Sequence, residues 1–151
     1  MKKKIIIFLI SIVSIALTLF FFYCNNLSFV NTKTKDFYLQ LKASLKGKGY
    51  NPSLLVVSAK RVKLHNDFQV KFSGAAKESK HLVGDAIDFL VFDVNKDGDS
   101  NEEDVDIVFQ ILDKEIIKDK GGVGTYKNEN AFINKQMIHI DCRGNFARWE
   151  R

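Results

Sequence analysis

The chain has 151 residues, the size of one domain, and carries 23 Lys and Arg against 18 Asp and Glu for a formal net charge of +5. Three of those lysines stand together at Lys2, Lys3 and Lys4; the other 20 basic residues are interspersed among the 18 acids without a basic stripe interleaved with aromatics, which argues against nucleic acid as a partner. The two cysteines, Cys24 in an apolar run and Cys142 far downstream, exclude a disulfide framework.

Residues 5–24, IIIFLISIVSIALTLFFFYC, contain no charge, Gly or Pro and are relieved only by Ser11, Ser14 and Thr18. At ~1.5 Å per residue such a run crosses a ~30 Å hydrocarbon layer as a helix, with the leading lysines cytoplasmic and everything after it exported. An uncleaved anchor is favoured over a cleaved signal sequence, because the run is longer than the usual ~7–15 residues and no A-x-A-like site surrounds Phe21, Phe22 and Tyr23. A lipid-modified Cys24 is the third reading, opposed by the bulky aromatics before it. Residues 25–33 are short and polar, a tether to a domain at 34–151.

That domain opens with a helix capped by Thr34, with Phe37, Leu41 and Leu45 on its inner face and a stop at Gly47 and Gly49. LLVVS at 54–58, after Pro52, is predicted as a buried strand. Segment 60–78 has weak periodicity and is expected to be a loop with a helical turn, ending flexibly at 73–76. Residues 86–92 suit a central strand in which Asp88 shares a buried face with Ala86, Leu90 and Phe92. A second helix starts at 101–104, turns Val105, Val108, Leu112 and Ile116 inward, and ends before Gly121 and Gly122. The remainder holds two or three strands with a turn near 128–130. There is no internal repeat. The order helix, strand, strand, helix, strands predicts an α+β fold: a small, largely antiparallel sheet flanked by helices and preceded by a transmembrane helix.

A carboxylate on the inner face of a strand is costly unless something positive meets it, so Asp88 needs a partner. His81 is near in sequence, and the intervening Gly84 and Ala86 are small, as a crowded coordination site requires. In MIHID, residues 137–141, alternation sends Ile138 and Ile140 to one face and His139 and Asp141 to the other, ~7 Å apart along the strand. His81, Asp88 and His139 together make three protein ligands with a fourth position left for water, the arrangement of catalytic zinc. His65 is expected to be a loop residue near the site.

The pattern S-x-H-x-x-G-x-A-x-D, present as Ser79, His81, Gly84, Ala86 and Asp88, resembles the signature of the zinc D-Ala-D-Ala carboxypeptidase and murein endopeptidase superfamily, whose fold is related to the Hedgehog signalling domain. GGVGTY at 121–126, HID and RG within 139–144, and ARW at 147–149 look like the closing portion of that domain, so the resemblance spans about 58–149. It implies that His81, Asp88 and His139 bind zinc. It also implies that Arg61, in SAKR at 58–61, reaches a substrate carboxylate or the oxyanion at the scissile carbonyl, which its fixed fork of donors suits. Many relatives carry an acid three positions before the last zinc histidine. Here that position is Gln136, which accepts no proton, and Asp141 is the remaining candidate for the base or for a residue that orients His139. The implied reaction is metal-assisted hydrolysis of peptidoglycan stem peptides or cross-links.

A second metal pattern lies at 93–104, DVNKDGDSNEED. It fits most of an EF-hand calcium loop, with Asp93, Asn95 and Asp97 at positions 1, 3 and 5, Gly98 at the sharp turn, Asp99 offering its carbonyl, and Asp104 at position 12. The competing reading is an acidic turn that caps the second helix through a Ser100–Glu103 box. Function is thus expected to be that of an exported, membrane-tethered zinc peptidase. The rivals are a non-catalytic binding module that keeps the fold and metal, and a calcium-dependent envelope protein whose histidines are incidental.

Overall fold

The computed structural model describes residues 2–73, 76–127 and 136–151. Helix α1, Lys2–Asn25, is the apolar run; its stretch Lys3–Tyr23 has 21 residues, a mean hydropathy of 3.0 and no burial against the rest of the protein. It is long and apolar enough to be a membrane anchor or a signal sequence. The chain then makes a 3-10 turn, Leu27–Phe29, in which the Asn26 side chain accepts the Ser28 N–H at 2.8 Å. Val30 is already buried in the core, so folded structure begins within the expected tether.

Helix α2, Thr32–Gly47, starts earlier than the Thr34 cap predicts. Asn31 is the cap, because its amide oxygen accepts the Lys33 N–H at 3.0 Å while its own N–H is tied to the Gly84 carbonyl. Thr34 sits inside the first turn and donates its hydroxyl to the Asp85 carbonyl at 2.8 Å. Tyr38, Leu41 and Leu45 form the buried face, with Phe37 at its margin.

Strand β1, Leu54–Ser58, leads into α3, Lys63–Ser73, a full helix where the sequence suggests a loop. The periodicity was inverted: the buried residue is polar Asn66, while Leu64, Phe68 and Phe72 point outward. Asn66 can be buried because it accepts from Arg61 Nη1 at 3.3 Å and donates to the carbonyls of Ala76 and Lys77 at 3.2 and 3.1 Å. Of the expected flexible end, Gly74 and Ala75 lie outside the described residues.

Strand β2, Ala86–Val91, is followed by α4, Glu102–Ile111, which continues as a π-helical stretch, Leu112–Ile117. Three strands close the chain: β3, Gly122–Tyr126, β4, Met137–Asp141, and β5, Ala147–Glu150. The turn expected near 128–130 lies outside the described residues. The sheet order is β1-β2-β4-β3-β5, antiparallel throughout except for the parallel pair β3 and β5.

One face of this sheet carries the core. Ile87, Phe89 and Val91 of β2, Val123 of β3 and Ile138 and Ile140 of β4 pack against Tyr38, Leu41 and Leu45 of α2 and Val105 and Val108 of α4. Burying each large side chain contributes about 1.5–3 kcal/mol. The period of two then sends the alternate residues to the opposite face. Pairing aligns them in a row across all five strands, in the order Ser58, Asp88, His139, Gly124 and Trp149.

Candidate metal centre

His81 enters the site from a 3-10 turn, Lys80–Leu82, which Ser79 caps by accepting the His81 N–H on its hydroxyl at 3.4 Å. Gly84 ends the turn with φ of +77°, and a Cβ there would stand 2.5 Å from the Phe29 carbonyl oxygen. Asp88 and His139 come from β2 and β4 as directly paired residues. All three side chains are buried, at 2%, 7% and 8% exposure. Their ligand atoms lie within 4.8 Å of one another.

The contacts fix which ring atoms face inward. His81 Nδ1 lies 3.0 Å from the Ala59 carbonyl, which only accepts, so Nδ1 carries the proton and donates it there. That leaves His81 Nε2 with a lone pair, 3.0 Å from Asp88 Oδ2 and 3.3 Å from His139 Nδ1. On the second ring, Nε2 donates to Asp141 Oδ2 at 3.1 Å, and Nδ1 faces Asp88 Oδ1 at 2.7 Å. Two imidazole nitrogens and a carboxylate thus converge, each imidazole held from behind by an acceptor, the arrangement that orients histidines on a metal. The donor set fits a divalent ion: the group could hold one, and its N and O donors suit zinc among several metals.

Proton energetics carry the same message. Burial raises the Asp88 carboxyl, but the two imidazoles outweigh it and hold the group well below the usual carboxylate range. Burial opposes protonation of His139, yet its bonds to Asp141 and Asp88 push it up to about 9. Without a metal the proton on His139 and the Arg61 guanidinium balance Asp88, and a metal ion would take the place of that proton.

Asp141 is placed behind His139 rather than in front of it. It is fully buried, and its oxygens accept from Arg143 Nε at 2.8 and 3.0 Å, Arg143 Nη2 at 2.5 Å, and the N–H groups of Gly122 and Arg143 at 3.1 and 3.0 Å. Burial would raise this carboxyl, but Arg143 and His139 hold it well below its ordinary value. Gln136, the other position at which the sequence seeks a base, donates its amide to the Ser100 carbonyl.

Arg61 is brought to the cluster. Its guanidinium is buried, 3.5 Å from Asp88 Oδ2, and also donates to Ser58 Oγ at 3.3 Å and Asn66 Oδ1 at 3.3 Å, with Nε left unpartnered. It lines a cavity of about 410 Å³ together with His81, Asp88, His139 and Trp149. Among the described residues, Glu78 and Glu150 are the side-chain carboxylates other than Asp88 on its wall. His65 lies on α3 beside Gln69, 3.1 Å between their Nε2 atoms, outside the cluster.

The sequence reading did not assign roles to Trp149, Arg143 and the two strand glycines. The Trp149 ring lies tilted at 50° to His139 with centroids 5.2 Å apart, and the Arg143 guanidinium lies over the indole, 5.1 Å from its centroid. A Cβ on Gly124 would fall 2.2 Å from Trp149 Cε2, and one on Gly122 would fall 2.5 Å from Asp141 Oδ2. The signal was available in G-V-G: glycine inside a strand marks a close approach.

The acidic loop differs from expectation. Asp93 Oδ2 accepts from Gly98 N–H, Asn95 Oδ1 from Asp97 N–H and Asp97 Oδ1 from Asp99 N–H, while Lys96 and Gly98 take positive φ to wrap the chain. Asp104, however, is fully buried and accepts from the N–H groups of Val94, Asn95 and Asn101. It forms the capping box of α4 with Asn101, in place of the Ser100–Glu103 pair, because Asn101 already accepts the Glu103 N–H. Asp93, Asp97, Asp99 and Asp104 do not converge as a set; among the described residues His81, Asp88 and His139 form the only such group of three or more His, Cys, Asp or Glu. Comparison with protein-family models, with curated proteins and with solved structures finds no match for the chain.

Proposed function

We propose that the protein is a membrane-anchored zinc peptidase acting outside the cytoplasm on peptidoglycan stem peptides or cross-links. The observation that carries this reading is the buried His81, Asp88 and His139 group, whose lone pairs are aimed at one point beside a cavity. The cell-wall substrate rests on the sequence resemblance and on the apolar helix α1.

His81, Asp88 and His139 would hold the zinc, which when bound would supply Lewis acidity and a water acidified toward neutral pH. The chain's own residues do the rest. Ala59 and Asp141 keep the two imidazoles in the metal-binding tautomer. Arg61, buried on the cavity wall, offers its donors to a carboxylate or to the negative charge that develops on a cleaved carbonyl. With both Asp141 oxygens engaged by Arg143, its role is positioning, which would leave Glu78 or Glu150 on the cavity wall to take up a proton. A calcium ion in the loop at 93–104 would be structural and would be held without Asp104, a reading supported by Asp93 Oδ1 alone, which is buried without a hydrogen-bond partner among the described residues.

The test is to incubate the full chain in detergent, with zinc and then with chelator, with cross-linked and uncross-linked muropeptides and to weigh the products. Chelator-sensitive cleavage is expected. Intact substrate alongside stoichiometric zinc would replace this reading with a non-catalytic, metal-containing binding module, which Gln136 in place of an acid favours. Absence of zinc binding would remove both. Calcium is tested separately, by a rise in melting temperature on its addition that Asp93→Ala abolishes.

A further inference from the structure

Helix α3 exposes what an isolated soluble domain would bury. Leu64, Phe68 and Phe72, spaced i, i+4 and i+8, are 82%, 60% and 65% exposed. They form one stripe, since fourfold spacing keeps residues on one face, opposite buried Asn66. The Phe68 and Phe72 rings stand 4.5 Å apart, and the Lys71 ammonium lies 5.4 Å over Phe72.

This stripe lies beside the end of α1. The Phe20 ring meets His65 of α3 edge-on at 5.5 Å between centroids. Phe20 is three residues short of Tyr23, where the apolar span stops. At ~1.5 Å per residue that contact sits about 4.5 Å inside the end of the span. Surface-lying amphipathic helices settle at that level, with their apolar face roughly 5–10 Å into the headgroup boundary.

The charge around it agrees. Apart from Arg61, which is buried against Asp88, residues 60–80 hold five basic side chains, Lys60, Lys63, Lys71, Lys77 and Lys80, against Asp67 and Glu78. Lys60, Lys63 and Lys77 line a cavity of about 420 Å³ beside Tyr23, although Lys63 is paired with Asp67 at 2.9 Å.

We propose that α3 is a second membrane contact: its Leu64, Phe68 and Phe72 face inserts into the anionic lipid surface of the bilayer that α1 spans, with the surrounding lysines on lipid phosphates. The inference rests on the anchor reading of α1. Its consequence is that the metal cavity, whose wall includes Gln69 of α3, is held about one helix diameter, ~10 Å, above the lipid.

The experiment reconstitutes the full chain, unchanged and as Phe68→Trp, into vesicles of brominated phosphatidylcholine and phosphatidylglycerol. Trp149 is the sole native tryptophan and supplies the reference. The added fluorescence of Phe68→Trp is expected to fall by roughly half or more, with little change for Trp149. Equal, weak quenching of both, in chain that stays with the vesicles through an alkaline wash, overturns the second contact and leaves the anchor standing. Chain released by that wash overturns the anchor, and the inference with it. Quenching that is as strong in brominated phosphatidylcholine alone overturns the assignment of anionic lipid.

Discussion

Replacing Asp141 by Asn separates positioning from proton transfer. The substitution keeps the size of a fully buried side chain and one oxygen that can still accept from His139 Nε2, but removes the charge that receives Arg143 at 2.5–3.0 Å. Charge-assisted hydrogen bonds contribute about 1.5–3 kcal/mol each, and Arg143 recovers part of that from water because its side chain is 28% exposed. A net stability loss of about 2 kcal/mol is expected. The charged acceptor behind His139 also raises the ring's basicity toward metal, and mutating such a partner, here to a neutral acceptor, typically costs 10–100-fold in affinity, about 1.4–2.7 kcal/mol. Competitive titration with a zinc chelator, on the unchanged chain and on Asp141→Asn, reads the second effect; a melt of both without metal reads the first. Zinc affinity within twofold of the unchanged chain, combined with lost hydrolysis, would refute the positioning role and return Asp141 to the position of base.

Gly124→Ala places a methyl group 2.2 Å from Trp149, and the overpacking is expected to cost about 1–3 kcal/mol in denaturant melts with a change in Trp149 emission; an unaltered midpoint and spectrum would count against the close approach. Asp104→Ala strands the N–H groups of Val94, Asn95 and Asn101 and removes the α4 cap, so a loss of at least about 2 kcal/mol is expected by the same melts, with or without calcium. His65 titrates below its ordinary value because it is partly buried and faces the charges of Arg61 and His81. A histidine with a depressed folded-state pKa leaves its stability contribution intact above about pH 6.5, and the contribution is lost as pH falls below that unfolded value and through the lower folded one. An NMR titration of the His65 ring with a midpoint at or above 6.5 would contradict that placement.

The His81, Asp88 and His139 group was readable because two local rules met the resemblance carried by S-x-H-x-x-G-x-A-x-D, which is what joined the three residues. Strand alternation put His139 on the face opposite Ile138 and Ile140, and the small residues between His81 and Asp88 marked a crowded turn. Helix α3 was not readable, because an apolar stripe that faces outward around a buried Asn66 inverts the pattern that normally announces a helix. Asn31 displaced Thr34 as a cap through a tie to Gly84 that is distant in sequence. The loop at 93–104 has the residue spacing of a calcium loop, but spacing alone gave no sign that Asp104 would spend its oxygens on three backbone N–H groups. Trp149 belongs to the site only through the pairing of β5 with β3, which no local pattern encodes, whereas Arg143 reaches it locally through Asp141, two residues earlier.

The row that joins Ser58 to Trp149 also sets an order of events in biogenesis. Two donors leave the ribosome together, and the third lies 51 residues beyond Asp88, on a strand that must pair in one register or turn Ile138 and Ile140 to the site instead. A nascent chain therefore offers only two of the group's three side chains until β4 has been made, and the cluster that could hold an ion is complete only once His139 has emerged and paired.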